Sequence, residues 1–410
     1  MKIGIIIWGL YGEGGAQKQA LYLAKELVKL GEKVTVYTVF YNPDNFYKKI
    51  LKNIKVKFLF QCDNPDFENK IVFSNDFIRK NRILNFLFLT FMSDKLYKDL
   101  AKIIDPDTEI LNPHDKCYKV SHYFNKYNKD TLSVWMANDT PSLRWNTERF
   151  EQKKSILGKL YRHLIDLYEK KFIKKQNQII VLDSLNKMAL KKYFGVDSKI
   201  IRSGVDVNYF VSNLGHSKTL NLNNSVKILM LGILSPYRRF EDGIIATKYL
   251  REFGYNITLD IIGNYETNKE YKNKLDSIIR GNNLEKVVHF LGRISENELL
   301  KSYLSHDIFV FPNHFQTWGL VVFEAMACGL PVIVSTTTGA SEVLTSGENA
   351  LLVQPKNSEA IAEKVKMLID NPSLYSKINS NAVSFVKNNI SWQKYSTEML
   401  QVFESLTKND

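Results

Sequence analysis

The sequence has too little cysteine to staple a fold. Its 3 cysteines among 410 residues, Cys62, Cys117 and Cys328, are odd in number and far apart, which excludes a disulfide framework and suits reduced thiols in the cytoplasm. None stands at metal-ligand spacing, and no Asp-x-Asp pair or histidine and cysteine cluster stands out as a metal site, so neither metal nor cofactor is expected. Low-complexity tracts and internal repeats are missing, which excludes a solenoid or a disordered chain. No apolar run reaches the ~20 residues of a membrane span. The opening MKIGIIIWGL is short, lacks a small-residue cleavage site and reads as a buried strand. The glycines of GLYGEGGAQK (9–18) do not fit G-x-G-x-x-G, and no acidic residue closes the second strand, which argues against NAD.

What is present is an α/β pattern, twice. A chain of 410 residues exceeds the ~250–300 at which one hydrophobic core stops growing, so two domains are expected. KIGIIIW (2–8) is a continuous apolar run, as in a parallel strand covered on both faces. After the glycine loop, Ala20, Ala24, Leu27 and Val28 fall on one helical face that stops at Gly31, and KVTVYTV (33–39) follows. Strand, loop, helix and strand make a βαβ unit. EILN (109–112), LSVWMA (132–137) and QIIVL (178–182) continue it. KILMLG (227–232), ITLDIIG (257–263), VVHFLG (287–292), DIFVFP (307–312) and PVIVS (331–335) begin a second set, alternating with helices such as AIAEKVKMLI (360–369). The expected domains are 1–205 and 226–389, with a polar linker at 206–225. The architecture implied is two similar Rossmann-like, doubly wound lobes facing across a cleft, with ligands beyond the carboxyl ends of strands.

Three stretches offer chemistry. The loop with Gly14 and Gly15 exposes N–H groups at a helix N-terminus, suited to an anion or a sugar, and equally explained as a tight turn. GILSPYRRFEDGI (232–244) places Arg238 and Arg239 between a strand and a helix beginning near Phe240, where planar guanidinium forks can grip phosphate. HFQTWGLVVFEAMACGLPVIVS (314–335) holds one carboxylate, Glu324, in an apolar setting. A helix opening near Gly319 puts Glu324 in its second turn, able to accept both hydrogens of vicinal hydroxyls such as those of a ribose.

The segment from His314 to Pro355 resembles the donor-site signature of the retaining glycosyltransferases of family four, which have the GT-B fold. GGAQK (14–18), IRSGVDVNYF (201–210), GILSPYRRFED (232–242) and ISWQKYSTEML (390–400) match that family's other landmarks in order. The resemblance covers nearly the whole chain and implies a metal-independent transferase using a UDP- or GDP-sugar. It implies further that Glu324 binds the ribose and that Gln316, where the family normally has a glutamate, contacts the donor sugar. Arg238 falls on a phosphate-binding position. Ile233 falls on the family's other cation, which Arg239 is expected to replace. By the same matching, His114 reaches the transferred sugar and Gly15 lies near the diphosphate. The base is implied near Arg293 and Ile294, and the distal phosphate at the amides of Gly319 and Leu320. The helix near 390–410 is expected to pack back on the first lobe. The departures at Gln316 and Ile233 leave open a second reading, a sugar-nucleotide-binding or partner subunit with weakened catalysis.

The charge distribution bears on the acceptor. The net charge is +13, and all of the excess lies in residues 1–210, with 36 Lys and Arg against 23 Asp and Glu; the remainder balances at 20 against 20. A basic half beside a neutral half suggests an anionic surface or substrate facing one lobe, rather than nucleic acid. RKNRILNFLFLTFMSDKLYK (79–98) reads either as an interfacial segment on an anionic membrane or as a buried core helix, and EKKFIKK (169–175) adds a basic cluster. A glycan or lipid-linked acceptor follows as an expectation. Asn138 and Asp139, at a strand end, are candidates to hold it. His122, His163, His289 and His306 have no partner visible in the sequence and read as structural.

Overall fold

The computed structural model describes residues 1–12, 14–44, 47–62, 82–141, 156–212, 220, 225–315 and 317–408, with backbone alone for 82–91, 156, 157, 159, 161 and 267. The chain divides into two compact units. One comprises Met1–Trp145, Ser155–Arg202 and Trp392–Asp410, the other Asn146–Lys154 and Ser203–Ser391.

The first unit is built on strands β1 (Lys2–Leu10), β2 (Lys33–Tyr41), β3 (Lys55–Gln61), β4 (Ile110–Pro113), β5 (Leu132–Ala137), β6 (Gln178–Val181) and β7 (Lys199–Ile200). They form a parallel sheet in the order β3-β2-β1-β4-β5-β6-β7. The apolar run predicted at 2–8 is the central strand: Ile3, Ile5, Ile6 and Ile7 are all buried, as a strand covered on both faces requires. Helices α1 (Gly15–Lys29), α2 (Lys48–Leu51), α3 (Arg82–Lys102), α4 (Tyr118–Phe124), α5 (Ile156–Ile173) and α6 (Ser184–Phe194) surround it. Local chemistry fixes their ends. Asp183 caps α6 by accepting from the Asn186 N–H at 2.8 Å, and Gly195 closes it in the left-handed region.

The second unit has β8 (Val226–Leu231), β9 (Ile257–Ile262), β10 (Val288–Gly292), β11 (Ile308–Phe311), β12 (Val332–Ser335) and β13 (Leu351–Val353), parallel and ordered β10-β9-β8-β11-β12-β13. Its helices are α7 (Val207–Ser212), α8 (Phe240–Glu252), α9 (Lys269–Gly281), α10 (Glu296–Ser305), α11 (Leu320–Ala327), α12 (Ser358–Asp370) and α13 (Pro372–Asn389). A capping box between Ser295 and Glu298 starts α10. Residues 203–212, read from the sequence as polar and aperiodic, contain helix α7, whose buried Phe210 meets Tyr303 edge to face. The last helix, α14 (Trp392–Thr407), belongs to the first unit, where Trp392 stacks on Tyr22 of α1 at 5.0 Å. No described helix is long and apolar enough to cross a membrane.

Candidate functional site

In the second unit the candidate residues gather on the loops that leave β8 and β11, neighbouring strands of the sheet. The two loops are tied together, since the His314 N–H donates to the Tyr237 carbonyl at 2.7 Å. Arg238 ends a short 3-10 turn, Pro236–Arg238, and its guanidinium lies over bare backbone: a Cβ at Gly232 would come within 3.2 Å of its Nε. Asn313, buried just beyond β11, clamps the same residue. With the amide turned to satisfy both partners, its oxygen accepts from Arg238 Nη1 at 2.9 Å and its nitrogen donates to the Arg238 carbonyl at 3.0 Å. A fork held through one terminal nitrogen in this way loses little further entropy on meeting an oxyanion.

Arg239 does something else. It sits in the left-handed region, φ 54°, and opens α8. Its Nε and Nη2 donate to Asp242 at 3.0 and 2.9 Å, and Nη1 lies 3.2 Å from Glu241. Burial pushes the Asp242 carboxyl upward, with Arg239 opposing that shift. The expectation that Arg239 replaces the missing cation therefore gives way: its charge is met by two buried carboxylates, and Ile233 turns an apolar side chain outward, 53% exposed.

Helix α11 opens at Gly319, with φ 82° and a would-be Cβ only 3.0 Å from the Phe311 ring, so glycine is required there. The indole N–H of Trp318, just before it, donates to the Ser203 carbonyl at 3.0 Å. Glu324 falls in the second turn, as the spacing predicted. It does not face solvent: it is 4% exposed and accepts from the Tyr303 hydroxyl at 3.2 Å. Burial, with Glu324 beside it, holds the Tyr303 phenol well above its ordinary pKa, so it stays a donor to the carboxylate. Asn313 and Tyr303 are site residues that sequence reasoning missed. Arg293 is exposed and Ile294 half-buried beyond β10, whereas Gln316 lies outside the described residues.

In the first unit, Gly14 is the N-cap of α1 and Gly15 its exposed first residue. The Tyr47 hydroxyl lies 3.2 Å from both the N–H and the carbonyl of Gly14. His114 follows β4 and is 1% exposed. Its Nε2 is 3.0 Å from the Asn112 oxygen, and Asn112 spends its own N–H on the Val134 carbonyl at 2.6 Å. That fixes the proton on Nε2 and leaves Nδ1 as a bare acceptor with no partner among the described residues. Burial lowers the pKa of His114 to about 3. Asn138 and Asp139, half-buried, follow β5, and Asn138 also accepts from Asn186 through its carbonyl at 3.2 Å. The histidines at 289 and 306 do have a partner: Asp260 lies 2.9 Å from His289 Nδ1 and 3.0 Å from His306 Nε2, which lowers its carboxyl pKa against the burial that would raise it.

Residues 215–385, most of the second unit, match the family model described as glycosyl transferases group 1. Over 98% of its own length and 98% of the relative's, the chain is 25% identical to an uncharacterised glycosyltransferase of Methanocaldococcus jannaschii. Over residues 215–385 the chain is similar to the group 1 glycosyl transferases. Among other relatives of the chain is the capsular polysaccharide biosynthesis glycosyltransferase CapM of Staphylococcus aureus, 30% identical over 46% of this chain and 48% of CapM. The fold is shared with HepE of Anabaena, solved in complex with UDP and glucose: the TM-score is 0.73 at 17% identity, over 99% of this chain and 100% of HepE. The two α/β units are those of the GT-B plan, and the matched region contains Arg238, Asn313, Tyr303 and Glu324.

Proposed function

We propose that this glycosyltransferase moves a hexose-type sugar from a nucleoside diphosphate sugar to a glycan or lipid-linked acceptor, with retention at the anomeric carbon and without a metal. The product would be a cell-surface polysaccharide or glycolipid, made from the cytoplasmic side at or near an anionic membrane face. The observation that carries the reading is Arg238, a guanidinium clamped by Asn313 over Gly232 in the loop bonded to the one that opens α11. As the bond from anomeric carbon to phosphate oxygen breaks, negative charge grows on the leaving diphosphate. A preset cation and the N–H groups at Gly319 and Leu320, where α11 opens, are suited to stabilise it. The acceptor oxygen then bonds to the anomeric carbon on the face the phosphate leaves, and its proton passes to a phosphate oxygen.

In this reading the second unit binds the donor. Glu324, held by Tyr303, takes the ribose hydroxyls, Arg293 and Ile294 flank the base, and Gln316 contacts the sugar. The first unit takes the acceptor through Asn138 and Asp139, with Gly14 and Gly15 near the diphosphate and the bare Nδ1 of His114 accepting a sugar hydroxyl. UDP is the nucleotide named in the HepE structure. One observation favours the second reading, a sugar-nucleotide-binding subunit with weakened catalysis: Ile233 offers no charge and Arg239 is already paired.

Incubation with a panel of UDP- and GDP-sugars in EDTA without acceptor, followed by nucleotide release and calorimetry, tests both. Slow release from one donor is expected. Binding without release, with or without candidate acceptors, would favour the subunit, and absence of binding to any donor would sink the assignment of Arg238 and Glu324.

A further inference from the structure

We infer that helix α5 of the first unit carries the face that docks on an anionic lipid bilayer. Helix α5 buries Ile165, Phe172 and Ile173 in its own unit. Its other side should then be polar, but Leu160, Leu164 and Leu167 are 57%, 58% and 50% exposed. They recur at i, i+4 and i+7, so they form one stripe. The same alternation of four and three continues through exposed Lys171 and Lys174, and the Lys174 N–H still donates to the Lys170 carbonyl at 3.0 Å. The stripe is thus leucine in its first three places and lysine in the next two.

Neighbouring helices add cations to this flank. Lys171 lies 4.1 Å from the Tyr168 ring centre and 4.7 Å from that of Phe172. Phe172 meets Tyr123 of α4 at 6.2 Å, and Tyr123 lies under Lys98 at 5.3 Å and Lys126 at 5.6 Å. The nearby carboxylates of Asp94 and Glu169 are turned inward on buried Lys119, at 3.2 and 3.1 Å.

Charge complementarity selects the occupant. Exposed leucines gain nothing at a nucleic-acid backbone, and a second copy docked by the same face would bring together two faces of like charge. An anionic bilayer accepts both features, with apolar side chains entering among the headgroups and lysines over the phosphates. The assignment differs from the sequence expectation at residues 79–98, whose side chains are described only from residue 92. It rests on the peripheral-membrane part of the proposed function and stands apart from the donor chemistry.

The test is flotation of the full chain with phosphatidylcholine vesicles, with and without phosphatidylglycerol, at low and high salt. Binding is expected only with phosphatidylglycerol and is released by salt. The variant Leu160→Ser/Leu164→Ser/Leu167→Ser and the variant Lys171→Glu/Lys174→Glu should each bind at least about tenfold more weakly, with unchanged thermal unfolding and nucleotide binding. In Leu164→Trp, indole emission should shift to the blue on vesicles. Undiminished flotation of the triple leucine variant overturns the assignment to α5 while leaving membrane contact in place, and failure of the parent chain to float overturns both. Light scattering showing a dimer that the leucine variant makes monomeric overturns it in favour of a second copy. Failure to bind any sugar nucleotide would be a failure of the transferase reading, recorded independently.

Discussion

Acidification should reveal His114 by what it refuses to do. Its imidazole is 1% exposed, its Nε2–H is held by Asn112, and burial takes its pKa from the ordinary 6.5 to about 3. The unfolded chain protonates His114 near pH 6.5 and the folded chain only near pH 3. Between those values the unfolded state holds the extra proton, so stability present above pH 6.5 is lost as pH falls. The gap of three and a half pH units, at about 1.4 kcal/mol each, is worth about 5 kcal/mol in all, of which about 2 kcal/mol is lost between pH 6.5 and 5. Glu169, buried and pushed up to about 7, works in the opposite sense, being destabilising as pH rises from its unfolded value. The comparison must therefore be a difference against His114→Gln, whose amide nitrogen reproduces the Nε2 donor without titrating. The slope of stability with pH, from urea unfolding followed by a probe in the first unit, should be shallower in the variant by about that 2 kcal/mol. Ring-carbon NMR should show no titration of His114 down to pH 4. A signal titrating near 6.5, or equal slopes for the two proteins, would refute the burial argument and with it the bare Nδ1 acceptor.

Three further outcomes follow from the second unit. Asn313→Ala removes the clamp from Arg238 without touching its charge, so donor KM should rise about tenfold, with kcat changed much less, consistent with about 1.5 kcal/mol for a hydrogen bond to a charged group; steady-state kinetics over donor concentration decide it. Arg239→Met should cost about 3 kcal/mol in denaturant unfolding by stranding buried Asp242, since Glu241 keeps Lys274 at 3.0 Å, whereas Arg238→Met should cost little stability and abolish tight donor binding by calorimetry; a reversal of that pattern would exchange the roles given to the two arginines. Tyr303→Phe should weaken nucleotide binding about tenfold by releasing the Glu324 carboxylate from its donor, and binding at parental affinity would mean that Glu324 is held by other contacts.

Much of the fold could be read from the chain because buried parallel strands are written as apolar runs. LSVWMA coincides with β5, and the runs at 227–232 and 331–335 mark β8 and β12 to within a residue. The strands that escaped lack that signature. β3, KVKFLFQ, is an edge strand that alternates with lysine, β7 has two residues and β13 three. The site was legible where a residue offended its surroundings, as Glu324 does in an apolar helix and as adjacent arginines do before one. It was illegible where the partnership is tertiary. Tyr303 reaches Glu324 across 21 residues, and Asn313 is a neutral amide after a strand, with nothing in its neighbours to announce Arg238. At Arg239 the partnership is local instead: Glu241 and Asp242, two and three residues on, take up its charge.

The first unit closes its own sheet and helices with Trp392–Asp410, after the whole of 203–391 has been used elsewhere. The segment 203–391 is thus complete in the chain before α14 is, and the face of Tyr22 that Trp392 stacks against stays open until the last helix arrives. The half begun first is the half completed last. An early stop codon anywhere in α14 would leave the second unit intact and strike the half made first, so truncation products should retain a protease-resistant core from residues 203–391 and lose the one that begins at Met1.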